Sequence, residues 1–92
     1  MIRRSETVGI VNERGLHARA SAKFVTLVAE IADGLAVTVE RDGHSATGGS
    51  IMGLMMLGAA MGDSIRIGAE GENADDALAQ LRALVEDKFG ED

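Results

Sequence analysis

His17 is followed two residues later by Arg19, at a point where a strand-like run gives way to a helix-like one. The stretch reads Gly15-Leu16-His17-Ala18-Arg19-Ala20-Ser21-Ala22-Lys23-Phe24. A helix N-terminus presents unpaired backbone N–H groups and a partial positive charge. That setting favours anions over cations and leaves a ring nitrogen of His17 free to attack phosphorus. The same N–H groups can then hold the phosphate oxygens. A phosphorus–imidazole bond is labile, so the group can be handed on. Arg19 stands where its guanidinium would screen the charge during transfer. The plain structural readings are a histidine used as a helix cap and a solvated arginine. Arg14 and Lys23 belong to the same basic field and read as solvated.

Ser50 is the second position of chemical interest. It reads as the N-cap of a short helix, and equally as a phosphorylation site, since a phosphate there would lie on the positive end of the helix dipole. The run behind it, Ile51-Met-Gly-Leu-Met-Met-Leu57, is too apolar for a helix with one buried face. Leu54 and Leu57 are expected inward, which leaves Ile51, Met52 and Met55 as an exposed, adaptable docking patch. Core methionine is the bland alternative. His44 reads as a surface residue beside a sheet edge. Two histidines without a nearby carboxylate cluster make a weak metal site, and no metal is expected. No paired carboxylates, nucleophile triad or phosphate-cradling glycine loop is present, and Gly48-Gly49 reads as backbone punctuation.

These residues need a scaffold, and hydrophobic periodicity supplies one. Glu6–Val11 reads as a strand, and Asn12–Gly15 as a loop in which Gly15 is free to take positive φ. From Ala18 the period becomes helical to about Ala32, with Ala20, Phe24, Leu27, Val28 and Ile31 on one stripe. Asp33-Gly34 would end that helix. Leu35–Arg41 alternates, Asp42-Gly43 is a strong hairpin turn, and His44 to Thr47 returns as an edge strand. A helix from Ser50 to Leu57 follows, then a loop, then a strand from Ser64 to Glu70. Asn73 is expected to cap a last helix whose stripe holds Ala74, Ala77, Leu78, Leu81, Leu84, Val85 and Phe89. The order is β-α-β-β-α-β-α. Each strand has one apolar face, which predicts an α+β fold: an antiparallel sheet covered on one side by helices.

Ninety-two residues suit a single domain, spanning 1–92, with one core. No apolar run approaches the ~20 residues that span a bilayer, and no secretory signal is read at the N-terminus. The absence of cysteine excludes disulfide and thiol chemistry and suggests a reducing, cytoplasmic setting. Residues 1–69 carry seven basic and seven acidic side chains, and residues 70–92 carry two and eight, which accounts for the net charge of −6. Nucleic acid is a poor partner for this balance and for a chain whose only aromatic residues are Phe24 and Phe89.

The His17 stretch resembles the active-site signature of HPr, the histidine-containing phosphocarrier of the bacterial phosphoenolpyruvate-dependent phosphotransferase system. Gly49-Ser50-Ile51-Met52-Gly53-Leu54-Met55-Met56-Leu57-Gly58 resembles the regulatory serine segment of the same family. The resemblance runs from about residue 6 to residue 89. It implies an open-faced β-sandwich, a four-stranded antiparallel sheet with three helices on one face. It also implies a monomeric phosphocarrier without cofactor, a transfer intermediate rather than a turnover enzyme. His17 would accept phosphate on Nδ1 from enzyme I and pass it to a IIA protein or domain, with Arg19 as phosphate partner. Ser50 would be the target of HPr kinase/phosphorylase, and Ile51, Met52 and Met55 the docking patch. Ala20 stands where the family usually has proline; alanine is an excellent helix former, so the helix is expected to survive. The variant is also similar to HPr proteins of alphaproteobacteria, which implies a regulatory, nitrogen-related branch. Two competing classes are a binding module switched by Ser50 phosphorylation, with little carrier role, and a small structural α/β domain. The presence of His17 favours the carrier over the binding module, which could dispense with it, and the two intact motifs argue against a purely structural domain.

Overall fold

The computed structural model describes residues 2–31 and 34–91. Four strands, β1 (Arg3–Gly9), β2 (Ala36–Arg41), β3 (His44–Thr47) and β4 (Ser64–Glu70), are interleaved with three helices. The helices are α1 (Ala18–Ile31), α2 (Ile51–Met56) and α3 (Ala74–Glu86), and a 3₁₀ turn, Lys88–Gly90, follows. The strands form one antiparallel sheet in the order β1-β4-β2-β3, and the helices cover one face of it, as the α+β reading expects.

Strand β4 lies between β1 and β2, and its period-2 pattern is clean. Ile65, Ile67 and Ala69 are buried, while Ser64 and Arg66 face solvent. It pairs with all of β1 on one side, Arg3↔Glu70 to Gly9↔Ser64, and with β2 on the other. The β2–β3 hairpin turns at Asp42 (φ 49°) and Gly43 (φ 81°), the two positive φ values that a tight primed turn requires. Strand β3 is one of the two edges, and His44 at its start is exposed. The open face of the sheet carries ion pairs between neighbouring strands, Arg3–Glu70 at 3.0 Å and Arg66–Glu40 at 2.6 Å. On the covered side, Arg82 of α3 reaches Glu6 of β1 at 2.7 Å.

Several sequence expectations are corrected by long-range pairing. The first strand is Arg3–Gly9 rather than Glu6–Val11, because β4 offers partners back to Arg3. Ile10 leaves the sheet but stays buried, its N–H donating to Asp63 O at 2.8 Å and its carbonyl accepting from Gly62 N at 3.0 Å. Val11 is exposed. Leu35 precedes β2 rather than starting it. Asn73 occupies the cap position of α3 in a left-handed conformation (φ 64°), and its side chain makes no cap hydrogen bond. Phe89 is not on the α3 stripe. It reaches the core from the 3₁₀ turn, where Lys88, Phe89 and Gly90 have φ of 58°, 54° and 76°. Helix α1 is intact from Ala18, with Ala20 fully buried in its first turn. The expected helix end at Ala32 and Asp33 lies outside the described residues.

Candidate functional site

The loop before α1 is fixed by a close approach of backbone to backbone. Gly15 has φ of 64°, and a Cβ there would lie 2.3 Å from the carbonyl oxygen of Ala59, in the segment after α2. Only glycine lets the two chains press together in this way. Leu16 N–H donates to that same carbonyl at 3.0 Å, and the Leu16 side chain is buried. The buried Ser21 hydroxyl donates to Leu16 O at 3.2 Å from the first turn of α1.

His17 is therefore held as the residue that opens the helix. Its carbonyl accepts Ser21 N–H at 2.9 Å, and its Nδ1 accepts Arg19 N–H at 3.2 Å. The capping reading and the chemical reading thus meet in one atom: Nδ1 is both the side-chain cap and the ring nitrogen turned to the helix N-terminus. An accepting Nδ1 places the ring proton on Nε2, which donates to Glu91 Oε2.

Glu91 was invisible to local sequence reading. It lies 74 residues from His17 in the chain. Its second oxygen accepts from Asn12 Nδ2 at 3.1 Å, and the same amide donates to Gly15 O at 2.8 Å. Asn12 is buried, and its Oδ1 has no partner. Turning the amide over would set that oxygen against two acceptors, so the donor orientation is fixed. The hydrogen bond from His17, with help from Asn12 and the positive charge of Arg14, holds the Glu91 carboxyl below the usual carboxylate range. Two signals in the sequence bear on Glu91: the acidity of residues 70–92 against a basic Arg14/Arg19/Lys23 cluster, and a glycine at position 90 that permits the turn back.

Arg19 has an exposed side chain and lines a shallow cleft of ≈ 360 Å³ together with His17, Arg14, Lys23 and Glu91. Lys23 is exposed, as read, but it is also engaged: its Nζ donates to Phe89 O at 2.7 Å.

Ser50 is the N-cap of α2, its Oγ accepting Gly53 N–H at 2.9 Å. Removing that acceptor leaves a helix-start donor unpaired. Ser50→Ala is expected to cost about 1 kcal/mol, read as a shifted midpoint with unchanged slope in urea unfolding. Ile51, Met52 and Met55 are exposed, with Met52 at 70 %, while Leu54 and Leu57 are buried. Met56 and Met61, which the sequence reading left unassigned, are exposed as well. Helix α2 packs on α1, and the Ala59 contact joins the segment behind it to the His17 loop.

Residues 4–87 match the family model for the PTS HPr component phosphorylation site. The chain is 38 % identical over 91 residues to phosphocarrier protein HPr of Cupriavidus necator, covering 99 % of this chain and 98 % of that protein. It is 37 % identical over 91 residues to phosphocarrier protein NPr of Shewanella violacea, covering 99 % and 98 %. Among solved structures it is similar to HPr-C-His from Thermoanaerobacter tengcongensis, with a TM-score of 0.88 and 37 % identity over 97 % of this chain and 98 % of that one.

Proposed function

The chain belongs to the HPr family of phosphocarrier proteins, and from that premise we propose that His17 Nδ1 is the phosphoryl acceptor, loaded by enzyme I and unloaded onto a IIA protein or domain in the cytoplasm. The observation that carries this reading is the opposed placement of the two ring nitrogens: Nδ1 on the α1 N-terminus, Nε2 on a carboxylate.

The mechanism follows from that placement. The lone pair of neutral Nδ1 attacks phosphorus in line, and the N–P bond of the donor's phosphohistidine breaks, returning its electron pair to the donor's ring. Arg19 N–H, released from Nδ1 as the new bond forms, turns to a phosphate oxygen. The Arg19 guanidinium and the free first-turn N–H groups balance the remaining charge. The His17 ring gains positive charge in this step, and Glu91 stabilises it through Nε2–H, as the carboxylate of a catalytic triad does for its imidazolium. A ring that keeps its Nε2 proton is also the better leaving group, which suits rapid hand-off to the next nucleophile.

Ser50 is read as a regulatory switch on the same carrier, a target for HPr kinase/phosphorylase. A phosphate on Oγ would keep acceptor oxygens near Gly53 N–H while placing two negative charges beside Ile51, Met52 and Met55. Those side chains, with Met56 and Met61, form the surface proposed to meet enzyme I, IIA and the kinase. A small patch suits weak, short-lived docking. The similarity to an NPr supports a nitrogen-related branch.

Incubation with enzyme I and labelled phosphoenolpyruvate tests the carrier reading. The expected product carries acid-labile, base-stable label, and His17→Ala carries none. Label that persists in His17→Ala, or a parent that takes none, sinks it.

A further inference from the structure

Three consecutive residues in the Lys88–Gly90 turn have left-handed backbone, and two of them, Lys88 and Phe89, are not glycine. L-residues adopt that conformation only where the surroundings over-determine it. The restraints can be traced. The Phe89 ring is fully buried, its carbonyl accepts Lys23 Nζ at 2.7 Å, and Glu91 N–H donates back to Lys88 O at 2.9 Å. The position of a Cβ on Gly90 would lie 3.1 Å from Lys23 Nζ, so the ammonium passes close over a residue without a side chain. At the next residue, Glu91, Oε1 accepts from Asn12 Nδ2 at 3.1 Å. Glu91 lies outside the residues that match the family model, and so does the whole turn.

We propose that Lys23 and Asn12 are positioning residues of this carrier: together they latch the turn so that the Glu91 carboxylate stays on His17 Nε2. The proposal rests on the carrier reading of His17. Lys23 acts through the backbone, holding the turn against α1. Asn12 acts on the carboxylate itself, and its anchor on Gly15 O ties Glu91 to the His17 loop. Each has a purpose that a freely hydrated side chain would not serve. Lys23 commits one of its three donors to a carbonyl. Asn12 is buried with an unpaired oxygen, an arrangement tolerated because its amide donors serve two acceptors. The other charged groups lining this cleft are Glu13 and Arg14 from the loop and Arg19 from α1. The rival role for Lys23 is therefore that of a third cation beside Arg14 and Arg19, acting on phosphate through space.

The two roles separate in a double-mutant cycle with a spectroscopic arm. In nitrogen-15 NMR of the unphosphorylated protein, the parent should show a His17 Nε2 proton protected from exchange, because a carboxylate holds it. Glu91→Gln, Lys23→Met and Asn12→Ala should each lose that protection, and Lys23→Arg, which keeps a donor, should regain it. Phosphoryl acceptance from enzyme I should fall about tenfold in both Lys23→Met and Glu91→Gln, the effect usual for a group that orients a reacting ligand. The Lys23→Met/Glu91→Gln double variant should then be no slower than the Glu91→Gln single. Retention of the protected proton in Lys23→Met, or a double variant slowed by the product of the two single factors, overturns the latch and leaves Lys23 as a through-space cation. Retention in Asn12→Ala removes Asn12 from it. A parent that accepts no phosphate defeats the carrier reading, while the NMR arm still decides the latch.

Discussion

Glu91→Gln should slow phosphoryl transfer to His17 about tenfold while leaving the fold intact. Glutamine keeps the shape of the side chain and can still meet Asn12, but it removes the negative charge that faces Nε2–H. That charge matters most when the ring carries phosphate and is cationic, so the loss falls on the transfer step more than on docking. Single-turnover phosphorylation by enzyme I checks this, with partner titration as the control: a weaker Kd at unchanged transfer rate contradicts the assignment. The pH dependence has a definite sign. The folded-state carboxyl of Glu91 lies below its usual range, so its contribution to stability is complete above the unfolded-state value and is lost as pH falls through the folded one. The parent should therefore exceed Glu91→Gln in stability at neutral pH, and that margin should shrink once the pH falls below the ordinary carboxylate range. Urea unfolding of both proteins at neutral pH and below that range measures it.

Phe89→Ala should be among the most destabilising single changes in the chain, costing about 3–5 kcal/mol and lowering Tm by on the order of 20 °C. Phe24 and Phe89 are the only aromatic residues, and both are fully buried. Truncating either leaves a cavity in the single buried core to which both belong. The two differ in what else they hold. Phe24 sits in the middle of α1, whereas Phe89 anchors the left-handed turn that delivers Glu91 to His17. Phe89→Ala should therefore weaken the His17–Glu91 contact in the fraction that remains folded, and Phe24→Ala should cost similar stability without that loss. Calorimetry gives the first comparison, and the His17 ring resonances below Tm give the second. Equal effects of the two variants on those resonances contradict the anchoring role of Phe89.

How much of this was legible in the sequence depends on the range over which each feature is specified. The alternation of Ile65, Ile67 and Ala69 marks β4 without any neighbour, because a strand's two faces are set by its own period. The Ala20–Phe24–Leu27 stripe does the same for α1. Asp42-Gly43 determines its turn through the φ values its own residues accept. The two motifs built on His17 and Ser50 are equally local, since each joins a reactive side chain to the helix start it caps. Strand ends were read less well. Arg3 and Arg4 look like a charged terminus until Glu70 and Ala69 are seen opposite them.

What no local pattern contains is the order of strands and the closure of the site. The sequence by itself determined the types and order of the elements and the placement of His17 and Arg19 at a helix start. Only the tertiary structure decided that β4 lies between β1 and β2, that Ala59 presses on Gly15, and that Glu91 reaches Nε2 across 74 residues of chain. The physical reason is that periodicity reports which face of an element is buried, not which neighbour buries it. A turn held in the left-handed region by a buried Phe89 and a Lys23 bond is stable only once the core and α1 exist to hold it.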